Sequence, residues 1–208
     1  MILRRTSLLL VGLCVYGLSL ALLVIAGLGL DPWDVFHQGV AERTGRSIGT
    51  ITVATSVVVL VLWVPLRERP GIGTIANGLL VGVWIDVWLA ILPDVDPLAA
   101  RSALMVAGVV LNGVATGMYI GAGMGPGPRD GLMTSIARRG YSIRVVRTLI
   151  EIVVLAAGIA LGGTFGVGTL AYALAIGPLA HVFIPLFTRW GRGGRSAQGF
   201  GQVVVVDH

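Results

Sequence analysis

Residues 101–177 of this 208-residue chain repeat residues 5–82 in register. Arg5, Gly12, Gly17, Gly27, Gly29, Pro32 and Asp34 recur 96 positions later as Arg101, Gly108, Gly113, Gly123, Gly125, Pro128 and Asp130. One residue is then lost. Gly45, Ser47, Ile48, Gly71, Gly73, Thr74 and Gly82 recur 95 positions later as Gly140, Ser142, Ile143, Gly166, Gly168, Thr169 and Gly177. Such self-similarity constrains a fold more than any single motif, because both copies must adopt the same elements.

Each copy holds three apolar runs, at 6–26, 48–66 and 72–92 in the first and at 102–123, 143–161 and 167–187 in the second. All are near the roughly 20 residues that span a bilayer. A hydrophobic share of 55%, a charged share of 12% and a mean hydropathy of +0.90 belong to an integral membrane protein. The first run follows Arg4 and Arg5 as a signal peptide would, but it is too long for one. Three spans per copy is an odd number, so the second copy enters the membrane from the other side. The expected fold is an all-α membrane protein of six transmembrane helices, built as two inverted three-helix repeats at 1–98 and 99–188. Residues 189–208 are Gly-rich and polar and are expected to form a disordered cytoplasmic tail.

After its first span each copy carries a short P-x-D helix, at 32–44 and 128–139. Proline suits the first helical position, and Asp34 and Asp130 suit the first turn as structural caps. Such a helix either lies in the interface as an amphipathic segment or re-enters the membrane and aims its N-terminal N–H groups at a ligand. The arginines at the C-terminal ends favour the interfacial alternative.

All 15 basic residues are arginine, and their distribution sets the orientation. With the N-terminus inside, Arg43, Arg46 and Arg101 face outward and the other twelve face the cytoplasm. Both termini are therefore expected in the cytoplasm. The single cysteine, Cys14, lies in an apolar run, which leaves no disulfide framework and no thiolate metal site. Spans joined by short loops leave no room for a soluble catalytic domain. An enzyme, a metal, a cofactor and a nucleic-acid partner are not expected.

Polar residues within spans are costly and point to function more directly than caps do. They are Asn77 and Asp86 in the third run, Asn112 in the fourth, Arg147 and Glu151 in the fifth, and His181 in the sixth. Arg147 and Glu151 are four apart and can pair on one helix face, as an ion pair that locks helices or as part of a site. Asp86 is the first-copy counterpart of His181, but inversion places the two at opposite depths. Arg129, Asp130, Arg144, Arg147, Glu151 and His181 are expected to converge in the cytoplasmic half as a substrate site. Their first-copy counterparts include Trp33, Gly49, Thr52 and Ser56, so the charge is one-sided. That bias suits an anionic or zwitterionic small solute, although positive-inside anchoring explains part of it.

The turn GMGPGPRDGLM at 123–133, the DPWD segment at 31–34 and the paired G-I-G-T and G-V-G-T turns resemble the YczE/YyaS/YitT family of bacterial integral membrane proteins, most closely its YczE-like branch. The likeness covers roughly residues 6–189. It implies a bacterial inner-membrane location and carries over no catalytic residue. Two functions remain open, a small-solute transporter or exporter and a non-transporting scaffold or regulatory partner of another protein. The lipid bilayer is the one firm partner, and a homo-oligomer is allowed.

Overall fold

A computed structural model of the chain describes residues 2–191. These form eight α-helices and no strand: α1 (Ile2–Ala26), α2 (Pro32–Thr44), α3 (Ile48–Leu66), α4 (Ile72–Ile91), α5 (Leu98–Gly121), α6 (Pro128–Ala137), α7 (Ile143–Leu161) and α8 (Val167–Gly191). Residues 189–191 complete α8, and the rest of the expected tail lies outside the described residues.

Five helices, α1, α3, α4, α5 and α8, are long and apolar enough to cross a membrane. The sixth expected span, α7, has the 19 residues of α3 but carries Arg144, Arg147 and Glu151. Its charge, not its length, sets it apart. Local chemistry fixes the ends. Pro32 and Pro128 occupy first helical turns, and Gly45 (φ 65°) and Gly162 (φ 105°) end α2 and α7 in the left-handed region that favours glycine. Ser47 Oγ accepts from the Thr50 N–H at 3.2 Å and caps α3.

The most buried helix, α1, packs against α5 and α4, while α5 packs against α8, α3 against α4, and α2 along α7. Glycines set the approach of α1 to α5. A Cβ on Gly12 would stand 2.9 Å from Met118 Cβ, and one on Gly108 would stand 2.9 Å from Leu23 Cγ. Fully buried Asn112 joins three helices here, donating from Nδ2 to Ser19 Oγ (3.0 Å) and accepting from Tyr172 Oη (3.0 Å).

Several contacts occur twice at the sequence offset. Arg5 donates from Nε to Ala122 O (2.6 Å) and from Nη2 to Gly123 O, and Arg101 donates from Nε to Ala26 O (2.7 Å) and from Nη2 to Gly27 O (3.0 Å). Each arginine thus satisfies the carbonyls at the end of the other copy's first long helix. Likewise, the Gly73 N–H donates to Met124 O at 2.8 Å and the Gly168 N–H to Leu28 O at 2.7 Å. Replacement of Arg101 by Ala is expected to cost about 2 kcal/mol, the contribution of a charge-assisted pair of hydrogen bonds. Unfolding of the detergent-solubilised protein measures this, and Arg101→Lys should recover only part of it, since an ammonium lacks the guanidinium fork.

The copies also differ in packing. α3 and α4 form a close interface, whereas α7 and α8 form no comparable one.

Candidate site between the starts of the two short helices

The first turns of the two short helices are packed inside the protein. In α2, Trp33, Asp34, Val35 and His37 are buried, and in α6 Pro128, Gly131, Leu132 and Met133 are. The Arg129 side chain links their N-terminal ends, so polar groups there find partners in each other.

Arg129, in the first turn of α6, reaches the start of α2. Its Nη1 is 3.5 Å from Asp31 Oδ1, its Nη2 donates to Tyr16 Oη at 2.9 Å, and its guanidinium stands 5.7 Å from the centre of the Trp33 ring. The Asp31 side chain is 3% exposed and that of Arg129 24%. Asp31, not Asp34 as the sequence suggested, caps α2, because its Oδ1 accepts from the Asp34 N–H at 2.9 Å. Asp34 instead directs Oδ1 to His37 Nδ1 at 2.9 Å, and Thr52 Oγ1 lies 3.2 Å from that same nitrogen. α6 starts at Gly127 without a side-chain cap, and Asp130 Oδ2 accepts from Tyr119 Oη at 2.7 Å.

Burial dominates the acid–base state of this cluster. It pushes the Asp31 carboxyl up to about 6, with the neighbouring Asp34 carboxylate adding to the rise and Arg129 opposing it. Burial raises Asp34 as well. It holds His37 down at about 3, with Arg129 adding to the effect, so the imidazole is neutral. Among the described residues, the buried atoms Asp31 Oδ2, Asp34 Oδ2, His37 Nε2 and Trp33 Nε1 have no hydrogen-bond partner. Tyr16, Trp33, Asp34, His37, Thr52, Asn77 and Arg129 line a cavity of about 20 Å³ at this point. A wider, open pocket of about 540 Å³ lies between the end of α2 and the α3–α4 pair, lined by Glu42, Arg46 and Asp86 among others. Among the described residues no group of His, Cys, Asp and Glu is arranged to hold a metal ion.

A model of the family of unknown function DUF6198 matches residues 3–185. The chain belongs to this family. Similar relatives include a Haemophilus influenzae protein described as "Uncharacterized protein", 37% identical over 89% of this chain and 86% of its own length. The Bacillus subtilis "Uncharacterized membrane protein YczE" is 33% identical over 76% of this chain and 74% of its own. The "Uncharacterized protein YyaS" of the same species is 29% identical over 86% of this chain and 92% of its own. No solved structure matches the chain. With its long apolar helices, this member of the DUF6198 family is a membrane protein, and the expected likeness to YczE and YyaS holds.

The six residues expected to form one site divide in this family member. Arg129 and Asp130 belong to the cluster at the starts of the short helices. Arg147 and Glu151 pair at 2.9 Å on α7, with side chains 54% and 33% exposed, and Asp130 is close enough to act electrostatically on Arg147. Arg144 is exposed one turn earlier on α7, and His181 is exposed on α8. Asp86 caps α3, accepting from Ser47 Oγ at 2.6 Å and from the Gly49 N–H at 2.9 Å.

Sequence reasoning passed over Asp31, His37, Tyr16 and Trp33 as site residues. A signal for one of them existed. Trp33 and Arg129 hold equivalent positions in the two copies, 96 residues apart, and the structure places one against the other.

Proposed function

We propose that the protein is a small-solute transporter of the bacterial inner membrane, with six spans in two inverted repeats and both termini in the cytoplasm. Its solute is anionic or zwitterionic. One observation carries this reading. Two short helices, one from each half, bring their N-terminal ends to a half-buried arginine beside a small cavity, as half-helices do in transporters that bind at the midplane. At about 20 Å³ the cavity holds about one water, so the arrangement is that of an occluded state. The paired Arg5 and Arg101 contacts support the repeat, and the wide pocket beside Asp86 supplies a vestibule on the side opposite the termini. Arg147 and Glu151 form the approach from the cytoplasm. The reaction is translocation without covalent chemistry, so the protein is not an enzyme.

Proteoliposomes loaded with radiolabelled acetate, phosphate or glycine test this. At least one probe should move about tenfold faster than in protein-free liposomes, and Arg147→Ala should reduce that flux while the protein stays folded. Absence of flux for all three favours the other reading, a scaffold or regulatory partner with a closely packed interior.

A further inference from the structure

Asp31 and Asp34 face one guanidinium. With His37 neutral, two ionised carboxylates against Arg129 leave one buried negative charge in excess. An uncompensated charge in a low-dielectric interior is costly, and two nearby carboxyl groups relieve that cost by holding a proton between them. The hydrogen-bond pattern marks where the proton goes. Asp31 Oδ1 is occupied by the Asp34 N–H and Arg129, while Asp31 Oδ2 and Asp34 Oδ2 are buried without any donor. The Asp34 N–H bond to Asp31 Oδ1 at 2.9 Å sets the two side chains together at the start of α2.

We propose that Asp31 and Asp34 share one proton beside Arg129, and that this carboxyl pair is the proton-coupling site of the transporter. The coupling role rests on the transport reading, whereas the shared proton does not. When the pair is fully ionised, Arg129 is held by Asp31. When Asp31 takes the proton on Oδ2, its claim on the guanidinium weakens, and Arg129 with the free Trp33 Nε1–H can receive an anionic group of the solute. Proton and anion then enter the site together, and their charges cancel.

The titratable and charged groups that act on Asp31 are Tyr16 on α1, Asp34 and His37 on α2, Arg129 on α6 and Tyr172 on α8. Asp130 on α6, which accepts from Tyr119 on α5, acts on Tyr16, and Arg147 on α7 acts on Asp130 and Tyr172. α3 presents Thr52 to His37, and α7 presents Gly158 to the backbone of Val35 and Phe36.

Infrared difference spectra of the full-length protein in bilayers, between about pH 5 and about pH 8, read the proton directly. The expected result is a protonated-carboxyl C=O band that Asp31→Asn removes and Asp94→Asn, in the exposed α4–α5 loop, leaves in place. Asp34→Asn should move the titration down by about one unit or more, because it removes the neighbouring like charge, and it supplies the test if Asp31→Asn does not fold. A band untouched by both Asp31→Asn and Asp34→Asn, or no carboxyl that titrates in this range, overturns the shared proton. A pH dye inside the liposomes separates the two claims. Flux of acetate, phosphate or glycine without proton movement overturns the coupling. A pair that titrates as expected in a protein that moves none of the three probes supports the proton site and rejects the transport reading alone.

Discussion

Arg129→Gln should destabilise the protein by about 3 kcal/mol, the low end of what is lost when one partner of a buried charge cluster is removed. The loss arises from what stays behind. Asp31 and Asp34 remain buried without a guanidinium, and Tyr16 Oη loses its donor. The low end applies because the Arg129 side chain is 24% exposed and water already screens part of it. Gln keeps an amide that can reach Tyr16 but not a charge, so the carboxylates must take up protons for the variant to fold. Its stability should therefore recover on acidification, and more steeply than that of the wild type. For the wild type the sign follows from the raised carboxyl. Asp31 binds its proton more tightly in the folded than in the unfolded protein, so its contribution falls as pH rises through about 6. Arg129 offsets that loss by holding the ionised form, and without Arg129 the loss becomes steep. Arg147→Ala supplies the contrast. That pair lies on one exposed helix face, where ion pairs contribute about 1 kcal/mol or less. Thermal and denaturant unfolding across pH compares the two variants, and equal destabilisation would remove the case for Arg129 as the buried anchor.

A second large effect separates the two copies. Gly82→Ala should cost about 3 kcal/mol, because a Cβ there runs into the backbone oxygen of Gly49 and comes 2.7 Å from Val53 Cγ2. A backbone atom cannot rotate away, so α3 and α4 must move apart. Gly177 is the equivalent residue in the second copy, and a Cβ there meets nothing within 4 Å. Gly177→Ala should stay within about 1 kcal/mol of the wild type. The difference follows from the partner positions. Gly49 lets α4 approach the start of α3, whereas Arg144 stands at the same place on α7, and α7 forms no close interface with α8. Paired unfolding curves check this, and an equal penalty at both glycines would mean that α7 and α8 pack as tightly as α3 and α4.

The helices were legible from hydropathy, since the runs at 48–66 and 143–161 coincide with α3 and α7 and the others differ by a few residues at their ends. The burial of the short helices' first turns was not legible. Arg43, Arg138 and Arg139 argued for headgroups, yet each also has a protein partner, as Arg43 donates to Leu161 O, Arg138 pairs with Glu68 and Arg139 donates to Leu66 O. The candidate site was half legible for a related reason. Arg129 stood out because its counterpart is Trp33, yet its partners lie 98 and 113 residues away in Asp31 and Tyr16, and no local pattern links them.

What the sequence determined alone was the membrane class, the helix boundaries and the pairing of copies, because hydropathy and glycine or proline placement act over a few residues. Only the tertiary structure decided which charges are buried together. A charge entering an apolar interior must find its opposite wherever the chain happens to bring it, and for Arg129 that place is the start of a helix from the other half.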